Sequence, residues 1–298
     1  MVTTVIGTAN GAPTESKKRS RGERFRRGIG DMLRQPTLVL SILFMVLVAL
    51  AAAFPWMFTN YSPIIGIPAD SLQAPSAKHW FGTDIVGRDS FSRVVYGSST
   101  SMLASFIAIC VGVAGGALIG LMAGYFGGFI DSTLMRFVDV ILAIPGLLLS
   151  LVVIAVLGFG AVNVAIAVGV GSIATFSRLM RAEVLRVRTS VFVEAARVCG
   201  GRWYSVVFRH VLPNSWKPIL VLAVLDFGSA ILGIAALNFL GFGAAPPAPE
   251  WGALISEGRA FVATAWWLTT IPGLIITLVV VSVNRIGRYI DRNTRREL

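Results

Sequence analysis

The residues whose types and spacing suit a definite task cluster in segment 191–218, VFVEAARVCGGRWYSVVFRHVLPNSWKP. Glu194, Ala195 and Ala196 are followed after three residues by Gly200, and an amphipathic run then sets Trp203, Val207 and His210 at i, i+4 and i+7 before Leu212 and Pro213. The chemistry this suits is docking. The segment is too polar to span a bilayer and too regular to be a spacer. Its first half is helix-compatible, and Gly200 permits a tight turn or a close backbone contact that a side chain would block. Its second half offers one face to the groove of a soluble partner. Glu194 can pair with basic residues or cap exposed N–H donors. The pattern predicts a helix, a turn and a second helix ending at Pro213, all on a membrane surface. A surface helix holding lipid headgroups through its arginines is the other reading.

Bond-making chemistry has no such support. No G-x-x-x-x-G-K-[ST] occurs, and the lysines at 17, 18, 78 and 217 follow no glycine-rich turn, so ATP hydrolysis by that route is excluded. There is no H-E-x-x-H and no G-x-S-x-G. His79 and His210 fall on opposite sides of the predicted membrane, so neither a metal nor a cofactor is expected in this chain. Cys110 lies in a predicted span and Cys199 in the docking segment, which rules out a disulfide between them. An ion-coupled carrier would place ionisable groups at mid-membrane, at about 2.5–3.5 kcal/mol each. Only Asp226 and Asp139 approach such positions, both within about two turns of a predicted cytoplasmic end. Asp226 reads either as a pathway residue or as an acid that snorkels or pairs with arginine.

The elements that must position these residues are membrane spans. The chain is 55% hydrophobic and 14% charged, with a mean hydropathy of +0.76, which predicts an all-α polytopic membrane protein. A bilayer core needs roughly 20 residues of helix. Uncharged runs supply six spans: 37–54, 101–124, two within 140–177 joined by a hairpin at Gly158-Phe159-Gly160, 219–242 and 261–283. Of the 26 Lys and Arg residues, all but Lys78, Arg88, Arg93 and Arg259 fall on one side of this arrangement. The positive-inside rule makes that side cytoplasmic, with both termini and segment 191–218 on it. The net charge of +11 therefore reports topology, and its place beside apolar spans argues against a nucleic-acid partner. Residues 1–36 read as a disordered basic tail facing lipid, with no signal peptide. Residues 37–98 hold the first span and its loop, 99–290 a five-helix core with the docking loop at 186–217, and 291–298 a C-terminal tail.

In the second span Gly112, Gly116, Gly120, Gly124 and Gly128 recur every four residues. On a helix they form a groove without side chains, which another helix can approach closely. It serves either packing within the bundle or a helix that slides during a transport cycle. Trp251, Trp266 and Trp267 read as interface anchors.

The spacing E-A-A-x3-G-x9-x-x-L-P, from Glu194 to Pro213 and between two spans, resembles the loop of permease subunits of bacterial ABC importers, with His210 where the general pattern has isoleucine. The ending Arg209-His210-Val211-Leu212-Pro213-Asn214 is similar to the peptide-importer branch. Gly82-Thr83-Asp84 followed by Gly87-Arg88-Asp89, with His79, Trp80 and Phe81 before and Ser92 to Gly97 after, resembles the G-T-D-x-x-G-R-D signature of C-type permeases of dipeptide and oligopeptide transporters. Gly124 to Gly128, Arg136 with Asp139, Leu240 to Gly243, Pro246-Pro247 and Glu250-Trp251-Gly252 are further points of likeness. The likeness covers nearly all of the chain beyond Lys78. It implies a permease subunit carrying short peptides, or alternatively nickel, glutathione or another small solute. It also implies four kinds of partner: a homologous second permease, two ATPase subunits or domains that bind ATP and Mg, an extracytoplasmic solute-binding protein, and membrane lipids. Asp84, Arg88 and Asp89 suit a small ion-pair network holding their loop, or contact with the solute-binding protein.

Overall fold

The computed structural model describes residues 35–295. The described residues from 40 onward form one compact unit, and those before it contribute only the start of the first helix. Among the described residues the regular structure is helical apart from one antiparallel bridge between Thr83 and Asp89. The helices are α1 (Pro36–Ala53), α2 (Ser90–Phe126), α3 (Gly128–Ala143), α4 (Gly146–Leu157), α5 (Ala161–Arg188), α6 (Val191–Val198), α7 (Trp203–Phe239), α8 (Trp251–Gly258) and α9 (Trp267–Arg295). Five are long and apolar enough to cross a membrane: α1, α2, α5, α7 and α9. Together α3 and α4, bent by 99° at their break, are apolar enough for a broken sixth span or a re-entrant loop. Helices suit such sequences because their backbone groups are satisfied within the segment.

The first of the two spans expected within 140–177 therefore holds a break at residues 144–145. Pro145 disfavours helical geometry in the residue before it, and Ile144 is extended at φ −89°, ψ 128°. The expected hairpin is present, with Asn163 Nδ2 donating to the carbonyls of Leu157, Gly158 and Phe159 across it. Helix α2 starts eleven residues before the expected span because Asp89 caps it, accepting from the Ser92 N–H at 2.7 Å. Residues 291–295 continue α9. The expected basic tail lies outside the described residues for 1–34, as does 296–298 at the other end.

The second half of segment 191–218 does not end at Pro213. Residues Val207–Val211 form a π-helical turn, with the Leu212 N–H bonded to the Val207 carbonyl, and the helix then runs on to Phe239. A π turn widens the helix locally, which accommodates the Pro213 ring and its missing N–H. The side-chain amide of Asn214 donates to the His210 carbonyl at 2.6 Å.

Along the length of α2, α5 fills the glycine groove. A Cβ built on Gly112 would lie 2.9 Å from Ser172 Cβ, and one on Gly124 would lie 2.8 Å from Val184 Cβ. Gly116 and Gly120 face the α5 backbone at Ile173 and Ser177 just as closely, whereas Gly128 faces open space at the start of α3. Between apolar helices in lipid, close van der Waals packing takes the place of a hydrophobic driving force. Along the same seam Phe176, Met180 and Val184 of α5 also pack with Val193, Val206, Val211 and Ile219. At the other end Trp251 and Leu254 pack with Val94, Ile231 and Val279.

Candidate functional site at the α6–α7 turn

Helix α6 is anchored on one side and bare on the other. Val193 is fully buried, while Val191 and Val198 are 82% and 83% exposed, with Glu194 and Ala195 also exposed between them. Val191, Ala195 and Val198 therefore form an outward apolar stripe at i, i+4 and i+7. This was legible in the sequence at the same spacing applied to Trp203, Val207 and His210. The structure divides that second trio: Trp203 is exposed, Val207 is 4% exposed and packs inward, and His210 is intermediate.

The turn after α6 is a Schellman motif. The Gly200 N–H bonds to the Arg197 carbonyl at 2.9 Å and the Gly201 N–H to the Ala196 carbonyl at 3.0 Å, with Gly200 at φ +80°. That conformation is nearly free of cost only for glycine. Nothing lies within 4 Å of a Cβ built on Gly200, so its surroundings would admit a side chain that its backbone resists. Leu212 is half-buried and Pro213 exposed at the start of the long stretch of α7. Several residues that the sequence did not single out complete the site. Arg188 donates to the carbonyls of Gly124 and Tyr125 at 2.8 and 3.1 Å, holding the end of α2 where the helix dipole favours a cation. Arg197 lies 5.3 Å from the centre of the Tyr125 ring, and Trp203 stacks obliquely on Phe126 at 5.6 Å. The turn is thus fastened to α2, α5 and α7 together.

A second polar constellation lies at the far end of α2. Asp84 Oδ2 accepts from Arg88 Nε at 2.5 Å and from Arg93 Nη1 at 2.7 Å. Glu257 of α8 takes both Nη atoms of Arg93, at 2.6 and 3.1 Å, and Arg88 Nη2 at 3.1 Å. Two arginines and two carboxylates thus close a neutral, largely buried cluster that fixes the loop and the start of α2 against α8. Asp84 and Arg88 belong to it as expected. Asp89 does not: it caps α2 and pairs with the buried His79 Nδ1 at 2.9 Å. Arg93 and Glu257, 164 residues apart, complete the cluster with no local signal in the sequence. Gly87 closes the turn within the motif at φ +76°, its N–H bonded to the Asp84 carbonyl at 3.0 Å. Gly82 abuts the Gln73 carbonyl and the Trp267 indole. Thr83 Oγ1 accepts from the Gln73 N–H at 2.8 Å and donates to the Asp70 carbonyl at 2.5 Å. The hydrogen bond from Lys78 holds the Asp70 carboxyl below the usual carboxylate range.

Beside this cluster, Glu250 accepts from Ser101 Oγ at 2.8 Å and caps α8 through the Ala253 N–H at 2.9 Å. Its burial pushes its pKa above the ordinary glutamate range. Trp251 and Trp267 are core residues and not interface anchors, their indoles donating to the Val94 and Thr83 carbonyls at 3.0 and 3.2 Å; only Trp266 is exposed. Asp226 lies apart from both constellations, bonded to Ser172 Oγ at 2.7 Å. Within α7 it is 23 residues from Trp203 and 13 from Phe239, and eight residues beyond Pro218. Among the described residues no group of three or more His, Cys, Asp or Glu is arranged to hold a metal ion.

Comparison with known proteins agrees with this geometry. The model of the family described as binding-protein-dependent transport system inner membrane component matches residues 116–296. A dipeptide transport system permease protein of Alkalihalophilus pseudofirmus is 40% identical over 263 residues, 88% of this chain and 86% of that protein. A probable D,D-dipeptide transport system permease protein of Escherichia coli K12 is 41% identical, with 85% of each chain covered. A glutathione transport system permease protein of Pectobacterium atrosepticum is 38% identical, covering 86% and 85%. Among solved structures, the MetNI methionine ABC transporter in an inward facing conformation aligns with a TM-score of 0.55 at 18% identity, over 68% of this chain and 96% of that one. A crystal structure of an amino acid ABC transporter with histidines gives 0.53 at 18% identity, over 68% and 94%. At that identity the likeness speaks to the fold.

Proposed function

The chain belongs to the binding-protein-dependent transport system inner membrane components, multi-pass permeases of ABC transporters, and on that premise we propose that it is the C-type permease subunit of an ATP-driven importer of short peptides. The observation that carries this reading is α6, whose outward stripe of Val191, Ala195 and Val198 has no partner among the described residues while its inward side is locked to the bundle. An exposed apolar stripe on an eight-residue helix suits the groove of a soluble partner. That partner is an ATPase subunit, which binds ATP and Mg and performs the hydrolysis. Glu194 sits in the first turn of α6, where a basic group of the ATPase can reach it.

Closure of two ATPases displaces α6. Because Val193, Val206 and Val211 pack into one cluster with α5 and α7, and Arg188 grips the end of α2, that displacement passes to the spans as a unit. The bundle rocks between inward-facing and outward-facing states, with a homologous second permease forming the other half of the passage. An extracytoplasmic solute-binding protein delivers the peptide to the end that carries the Asp84–Glu257 cluster. The distribution of basic residues supports a cytoplasmic side for α6 and for both ends of the chain. Glutathione or another small solute is the second reading, favoured by the glutathione permeases among the relatives.

Affinity purification of the tagged chain from native membranes in mild detergent tests the assembly. A second permease, P-loop ATPases and ATP hydrolysis in the eluate support it, and a lone chain without ATPase returns the ion-coupled carrier to the front. Within the assembled complex, Gly200→Arg abolishes transport while insertion is retained, and Gly200→Asn, which tolerates the left-handed conformation, retains most of it. Normal transport by a well-expressed Gly200→Arg protein refutes the docking role of the turn.

A further inference from the structure

The exposed faces of most long helices carry large apolar side chains, such as Leu43 and Leu47 on α1, Leu103 and Phe106 on α2, and Leu274 and Val281 on α9. Where α5 and α7 lie side by side, exposed polar residues interrupt that pattern: Thr175 and Arg178 on α5 and Ser229 on α7 are exposed beside Leu232, and the bonded pair Ser172 and Asp226 is half-buried between the two helices. Lipid does not suit such a face. With segment 191–218 cytoplasmic, Asp226 lies eight residues beyond Pro218, about 12 Å at the helical rise per residue, which in a bilayer core about 30 Å thick leaves this carboxyl well inside the membrane. Among the described residues a single hydroxyl, that of Ser172, hydrogen-bonds to it. Arg178 and Asp139, paired at 2.6 Å, are 56% and 59% exposed. Ionisable groups within spans face a bundle interior or a water-filled cavity and mark substrate pathways.

Resting on the importer reading, we propose that this face is the permease's own lining of the passage, with Asp226 receiving the ammonium of a zwitterionic peptide and Arg178 its carboxylate. Arg178 follows Ser172 by six residues, about 9 Å along α5, and Ser172 marks the level of Asp226. A peptide backbone extends about 3.3–3.6 Å per residue, so two to three residues bridge the two charges. Asp139 holds Arg178 when no peptide is present and competes with the peptide carboxylate when one is. That competition keeps binding weak enough for release, as conduction through any selective passage requires.

The test uses the complete transporter, reconstituted with its partners, in a Cys110→Ser, Cys199→Ser background. Thr175→Cys and Ser229→Cys react with the cationic thiol reagent methanethiosulfonate ethyltrimethylammonium, and alanyl-alanine slows the reaction, while Leu103→Cys stays unmodified. Asp226→Asn raises the KM for alanyl-alanine about 10- to 100-fold, the loss of a hydrogen bond to a charged group, and Asp226→Glu restores most of it. Absence of labelling at both positions in a complex that transports alanyl-alanine overturns the proposal, as does an unchanged KM in Asp226→Asn. A reconstituted complex that moves no alanyl-alanine even unsubstituted removes the short-peptide reading, and this one with it.

Discussion

Replacing Gly116 with alanine tests whether the α2–α5 seam is a close-packed joint. The new Cβ would lie 2.9 Å from the Ile173 carbonyl oxygen, 3.0 Å from the Ser177 nitrogen and closer still to Phe176 Cβ. Ordinary non-bonded separations begin at about 3.5 Å, so α5 must withdraw by up to about 1 Å. These are backbone atoms and a Cβ, which cannot rotate away as the tip of a flexible side chain can. The withdrawal also strips contacts at Gly112, Gly120 and Gly124, since one rigid helix serves all four. Overpacking costs about 1–3 kcal/mol, against which alanine gains up to about 1 kcal/mol of helix propensity. A net loss of about 2 kcal/mol is expected, which lowers the midpoint of thermal unfolding of the purified complex by about 4–8 °C. Gly171→Ala, on α5 with nothing within 4 Å of the new Cβ, gains the same propensity without the clash, and its midpoint stays level or rises. A Gly116→Ala protein as heat-resistant as Gly171→Ala would show that the seam yields freely, and the packing argument would fall.

The arginine–carboxylate cluster makes a second prediction. Arg93→Met leaves Asp84 and Glu257 facing each other across Arg88 alone, costing about 3–5 kcal/mol, and Arg93→Lys restores little because an ammonium cannot bridge Glu257 through two donors; differential scanning calorimetry of the complex checks both, and full stability of Arg93→Met contradicts the cluster's structural role. Glu250 sets a pH dependence. Its carboxyl titrates above the ordinary glutamate range because burial disfavours the charged form. The folded protein therefore holds a proton that the unfolded chain has released, and stability falls as pH rises from the ordinary glutamate value through the raised one. Glu250→Gln flattens that part of the profile, measured as the thermal midpoint from pH 4.5 to 8; an unchanged slope in the variant assigns the dependence elsewhere.

Much of this protein could be read before any coordinates existed, wherever the deciding physics is local. The spans follow from the length of uncharged runs, the hairpin from two glycines at residues 158 and 160, and the helix–turn–helix from an amphipathic period interrupted at Gly200. Pro145 carried the signal for the bend in the third span, as prolines restrict their predecessors wherever they occur. The amphipathic stripe of Val191, Ala195 and Val198 was visible at the same spacing as the trio chosen in α7, and it lies on the helix with the stronger claim. Nothing local announced the π turn, because its cause is the joint demand of a proline and of a packed cluster on both sides of it.

The sequence by itself determined the class, the spans, the side on which the basic residues gather and the segment that turns at Gly200, since hydropathy, charge and backbone preference act within a turn or two of helix. Only the tertiary structure decided that Asp84 joins Glu257 through Arg88 and Arg93, that Asp89 turns instead to His79, that Val207 faces inward, and that Asp226 bonds to Ser172. Those outcomes depend on which groups come within hydrogen-bonding reach after distant helices pack. Pairing energies fall off over a few ångströms, so partners more than 160 residues apart in the chain leave no mark on each other's neighbours in sequence.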